Sequence, residues 1–130
     1  MKKVLSLTLT LFALLFISIS AVSPTKTHPL KTTYNFYVDN GTSWDGTVSG
    51  SGAISVSGAV FHSTGQYFIQ ALNPSVSYIT VTVNCSAPGS HTYGLTGGVS
   101  PAPTPITTST GTAAFTNVSV VPGDIAAYIH

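Results

Sequence analysis

Residues 76–85 read VSYITVTVNC, and this run decides the fold class. Ile79, Val81 and Val83 occupy alternate positions, with Tyr78, Thr80 and Thr82 between them. A strand sends successive side chains to opposite faces, so this pattern predicts an apolar inner face and a polar outer one. β-branched residues fill most of the run, and they fit a pleated, half-buried surface. Cys85 continues the inward series, which predicts a buried, inert thiol behaving as a small core hydrophobe.

The same alternation extends in both directions from this strand. Upstream, Thr32–Asp39 places Tyr34, Phe36 and Val38 on one face, and Asn40-Gly41 supplies the two positive-φ residues of a type I′ hairpin turn. A return strand is then expected over 42–49, and a third over 53–61 with Ile54, Val56, Gly58 and Val60 on one face. Ser63-Thr64-Gly65 turns the chain into a strand over 66–72, and Asn73-Pro74-Ser75 marks the next break. Downstream, Pro88-Gly89 turns into a strand over 91–96. Gly97–Pro105, reading GGVSPAPTP, is expected to be a stiff loop crossing between sheets. A strand over 112–120, a turn at Pro122-Gly123 and a strand over 125–129 complete the series. No sorting tail is expected after that last strand. Eight short strands separated by turn signals predict an all-β fold, an antiparallel β-sandwich of immunoglobulin-like architecture with about seven to eight strands.

The chain opens with an address. Lys2 and Lys3 precede an apolar run over 4–19, followed by small residues at 18–23. This is the order of a secretory signal peptide, expected to be cleaved near residue 21. The run is shorter than the roughly 20 apolar residues of a spanning helix. The expected organisation is a signal peptide at 1–21, a flexible segment at 22–31 and a single β-sandwich domain at 32–130, secreted or at the cell surface and without a membrane span after cleavage. Removal of 21 residues leaves 109 of the 130. A domain of that size buries enough surface to fold without staples, and a single cysteine permits no internal disulfide.

Charge is nearly absent. Only 5% of the residues are charged, with no Arg and no Glu, where an ordinary domain is about a quarter charged. After cleavage Lys26 and Lys31 face Asp39, Asp45 and Asp124, a formal charge of −1. Nucleic-acid binding, which needs many cations to displace counterions, is excluded. Three carboxylates leave little for acid–base catalysis, and no nucleophile sits in a triad context such as G-x-S-x-G. His28, His62, His91 and His130 have no metal-ligand spacing, and Asp39–Asp45 reads as a hairpin turn rather than a calcium loop. The sequence therefore predicts a non-enzymatic protein with no cofactor and no metal.

Aromatic residues are the better clue. The alternation places Tyr37, Phe68 and Tyr78 on outer faces, with Trp44 beside the first turn. Exposed aromatic faces among Asn, Gln, Ser and Thr suit a carbohydrate platform, and Trp44, Tyr37, Phe68 and Tyr78 are its candidate residues. Asn40, Asn84 and Asn117 stand in N-glycosylation patterns, Asn40 being expected as the most exposed. Strands with few charges also protect their edges weakly. The leading expectation is a structural or adhesive extracellular protein that self-assembles or joins other extracellular proteins. A small carbohydrate-binding module is the alternative, and a hydrolase a distant third.

Overall fold

Alternating apolar residues form strands along the whole domain. The computed structural model describes residues 33–130, and these contain no helix. The expected leader at 1–21 and the segment at 22–31 lie outside the described residues. The strands are β1 (Asn35–Asn40), β2 (Gly46–Gly52), β3 (Val56–Phe61), β4 (Gly65–Ala71), β5 (Tyr78–Cys85), β6 (His91–Val99), β7 (Ile106–Thr108) and β8 (Thr112–Ile129). Neighbours in the order β3-β2-β5-β8-β1-β4 are hydrogen-bonded, and β6 pairs with β8 on one side and β7 on the other.

The sheet is mixed, which corrects the antiparallel expectation. β1 runs parallel to β8, with Phe36 opposite Ile125 and Asn40 opposite Ile129. Parallel neighbours need a long connection, and here the intervening strands supply it. Asn40-Gly41 accordingly makes no hairpin. β1 pairs with β4 and β8, β2 pairs with β3 and β5, and the loop after Asn40 carries the chain from one set of strands to the other.

The strands form one nearly barrel-shaped sheet. Its two ends, β3 and β4, are consecutive in the chain, and the turn between them is held by Thr64, whose N–H and hydroxyl both donate to the Thr42 carbonyl at 2.8 and 2.9 Å. At the opposite end of the seam the Ser55 N–H donates to Gln70 Oε1 (3.0 Å) and the Asn73 N–H to the Ala53 carbonyl (2.8 Å). The inward side chains share one core, which includes Phe36, Val38, Val48, Phe61, Ile79, Val81, Val83, Tyr93, Leu95, Phe115, Ile125 and Ile129.

Three local expectations are corrected. Pro122-Gly123 does not end a strand. It lies inside β8, at the point where pairing passes from β5 (through Ser119) to β6 and β1. Proline can sit there because the ladder is interrupted, and β6 accommodates the bend with Gly97, whose φ is 91° and whose missing Cβ leaves room for the Asp124 carbonyl. Secondly, GGVSPAPTP does not cross between layers. It enters the loop of a β6–β7 hairpin in which His91 faces Thr108, and residues 109–111 make the crossing instead. Thirdly, the face of β3 switches. Gly58 (φ 62°) sits at a bulge opposite β2, so Phe61 turns inward and Val60 outward. An isolated glycine within a strand is the sequence signal for such a bulge.

Candidate functional site

The site is built on the outer face of β4, β1, β8 and β6. In β1 Phe36, Val38 and Asn40 are buried, which turns Asn35, Tyr37 and Asp39 outward. In β4 the register slips beside Phe36, so that Phe68 comes to lie opposite Tyr37. Phe68 is 60% exposed. Its ring meets that of Tyr37 edge to face, with centroids 5.9 Å apart and planes at 69°, the arrangement the ring quadrupoles favour. The Asn35 side-chain amide donates to the Tyr37 hydroxyl at 3.1 Å, and the Asn35 backbone N–H donates to Asp124 Oδ1 at 2.9 Å. One residue thus positions both an aromatic and a carboxylate.

Beyond Tyr37 the sheet falls away into a shallow groove of about 290 Å³, lined by Tyr37, Gln66, Thr96, Gly97, Asp124, Ile125 and Ala126. The groove follows from the register: Tyr37 faces Ala126, and Ala126 faces Thr96, so small side chains lie between the ring and the β6 hydroxyl. In the next row Gln66, Asp39, Tyr128 and Gly94 are successive partners. The Tyr128 ring lies over Gly94, where a Cβ would collide with it, and its other neighbour is the His130 ring at 5.2 Å. The face therefore offers apolar rings beside an amide, a hydroxyl and carboxylates, the mix of apolar wall and few polar groups found in ligand sites.

The structure divides the four candidate aromatics. Tyr37 and Phe68 come together. Trp44, 49% exposed, lies in the loop between β1 and β2, where its carbonyl accepts from the Asn40 amide. Tyr78 opens β5 and packs over Gly52, where a Cβ would lie 2.8 Å from its ring. At the other end of β5 Cys85 Sγ sits 3.8 Å from the Trp44 carbonyl. Seven residues of strand, about 23 Å, thus separate Tyr78 from the Trp44 end. No platform joins all four.

Asn40 reverses its expected exposure. It is 1% exposed. Its amide donates to the carbonyls of Trp44 and His62, both at 2.8 Å, and its Oδ1 accepts from the Thr42 N–H (3.0 Å) and hydroxyl (2.8 Å). All its hydrogen-bonding capacity is used, and a glycan on this nitrogen has no room in the fold. Asn84 Oδ1 accepts from the Thr112 hydroxyl at 2.8 Å. Asn117 is exposed, with φ at 51°.

Cys85 is buried, with Sγ 3.5 Å from the Thr42 hydroxyl. The thiol is therefore sheltered from His91, whose Nε2 lies 3.1 Å from the Pro88 carbonyl. His62 Nδ1 and Asp45 Oδ2 are 3.3 Å apart and both side chains are exposed, a contact that contributes little to stability. Among the described residues no group of three His, Cys, Asp or Glu side chains could hold a metal ion. Burial raises the pKa of Tyr93 above its ordinary value, and the Cys85 thiol adds to this.

Gln66, Thr96, Asp124 and Tyr128 were not singled out from the sequence. Tyr128 was within reach, because inward Ile125, Ala127 and Ile129 require Ala126 and Tyr128 to face out. Thr96 and Asp124 join the face through pairings distant in sequence, for which no local signal exists. Comparison with known proteins finds no family model, no curated protein and no solved structure that matches the chain.

Proposed function

We propose that this protein is a secreted, non-catalytic β-domain that adheres to neutral carbohydrate at the cell exterior. The observation that carries the reading is the Tyr37–Phe68 ring pair at the lip of a groove with Gln66, Thr96 and Asp124. A sugar ring has apolar C–H faces and a rim of hydroxyls, and this face supplies a partner for each. The signal-peptide pattern of the sequence at 1–21 supports secretion. Burial of Cys85 removes the one thiol as an accessible nucleophile.

Self-assembly by strand addition receives less support. It needs an open edge; residues flanking β3 bond towards the β4 end of the sheet through Ser55–Gln70 and Ala53–Asn73, no ladder joins β3 to β4, and β7, an edge outside that path, has three residues. The ladders fall into two groups that share β8, one holding β3, β2 and β5 and the other β4, β1, β6 and β7, and we read them as two layers facing one core in an immunoglobulin-like manner.

Isothermal titration of the 130-residue chain with maltohexaose, cellohexaose, xylohexaose and mannohexaose tests the function. Binding of at least one sugar that weakens about tenfold or more in Phe68→Ala supports the reading, since a central aromatic carries a large share of contact energy. Binding to none, or binding indifferent to both Phe68→Ala and Tyr37→Ala, overturns it.

A further inference from the structure

A second groove, of about 440 Å³, opens on the outer side of β3, β2, β5 and the first half of β8. Its floor is a cross-strand row: Val60 faces Thr47, Thr47 faces Asn84, and Asn84 faces Thr112. Asp45 stands at one margin, and Thr110 and Gly111 at another. This groove and the Tyr37–Phe68 face lie on outer surfaces of strands whose inner surfaces share one core, so the two point away from each other.

The chemistry of the groove selects its occupant. The Thr112 hydroxyl donates to Asn84 Oδ1 at 2.8 Å, which orients the amide. Asn84 Nδ2 has no protein partner among the described residues and offers two donors to the groove. Thr47 and Thr112 supply hydroxyls. The one carboxylate, Asp45, faces His62 at 3.3 Å. Val60 gives an apolar patch, 60% exposed, and the half-exposed Trp44 adjoins Asp45 in the chain. Apart from that one carboxylate, which His62 already faces, the lining carries no charge for an ionic ligand. Amide, hydroxyls and an apolar patch match a neutral polyhydroxylated one.

We infer that the outer groove at Thr47, Asn84 and Thr112 is a second saccharide site, and that the monomer cross-links glycan chains. This rests on the proposed carbohydrate function, because cross-linking requires the Tyr37–Phe68 face to bind as well. Two sites on opposite faces cannot both engage one short oligosaccharide. They can each engage a different chain, and two weak contacts then act as one strong attachment through effective concentration.

The test uses the 130-residue chain, labelled with ¹⁵N and titrated with the same four hexaoses. The inference expects two separate sets of shifting amides, one around Thr47, Asn84 and Thr112 and one around Tyr37, Gln66 and Thr96. Asn84→Ala and Thr112→Val should each weaken the first set about tenfold, the effect of losing a hydrogen bond or two, and leave the second unchanged. Beads coated with the matching polysaccharide should then aggregate with the wild type, and not with Asn84→Ala or Phe68→Ala. Shifts confined to the Tyr37 set overturn the second site and leave the proposed function standing. Shifts confined to the Asn84 set overturn cross-linking and the Tyr37–Phe68 site together, and no shifts with any sugar overturn both proposals.

Discussion

The two outer faces of this domain enclose the same core and differ in almost everything else. One presents Phe68, Tyr37 and Tyr128 over a groove floored by Ala126. The other presents Thr47, Thr82, Asn84 and Thr112, a surface of hydroxyls and amides with no aromatic in its central rows. On their inner sides both carry the same Ile, Val and Phe alternation. The difference teaches that fold and surface chemistry are written on alternate residues of the same strands. Substitutions at inward positions should change stability, and those at outward positions should change binding.

The largest effect is expected inside. Phe61 is fully buried where the bulge at Gly58 turns it inward. Phe61→Ala should cost about 3–5 kcal/mol, from lost burial and the cavity left behind, measured as a lower urea midpoint. A change below 1 kcal/mol would mean the register of β3 is wrong. Asn40→Ala comes next, at about 3 kcal/mol, because two carbonyls and an N–H lose their buried partner. Asn40→Asp should not rescue it, since a carboxylate would then face the carbonyls of Trp44 and His62. If either Asn40 variant melts like the wild type, the loop is not held as described.

Phe68→Ala sharpens the comparison from outside. Loss of the ring pair with Tyr37 should lower its stability by only about 1 kcal/mol, while sugar binding falls about tenfold or more. The smallest effect is a pH dependence. Tyr93 holds its proton more tightly in the fold than in the unfolded chain. Its contribution is complete below the ordinary tyrosine pKa of about 10 and falls as pH rises through the folded value. The urea midpoint should therefore decline above about pH 10, and less steeply in Tyr93→Phe.

The inner half of this division was legible in the sequence. Ile79, Val81, Val83 and Cys85 are buried as their alternation requires, and Tyr37 and Phe68 face outward as theirs does. What could not be read was pairing. Asn40-Gly41 has the local chemistry of a hairpin, yet burial of the Asn40 amide against two carbonyls outweighs that preference. Pro122-Gly123 has the chemistry of a turn, yet the Gly97–Gly98 pair on β6 lets one long strand pass. The candidate face follows from the same limit. Tyr37 and Phe68 were visible one at a time, while Asp124 and Thr96 reach them through the parallel β1–β8 pair and the β6–β8 pair.

The central claim is that Tyr37 and Phe68 contact a neutral sugar. The most direct measurement is the ring resonances of these two residues, followed by ¹H–¹³C NMR while the chain is titrated with the four hexaoses. The account predicts that both rings shift together and saturate with the same affinity, and that the Tyr78 ring stays still. Sugar binding that moves Tyr78 or Trp44 and leaves Tyr37 and Phe68 unmoved would contradict it, as would four sugars that move none of these rings.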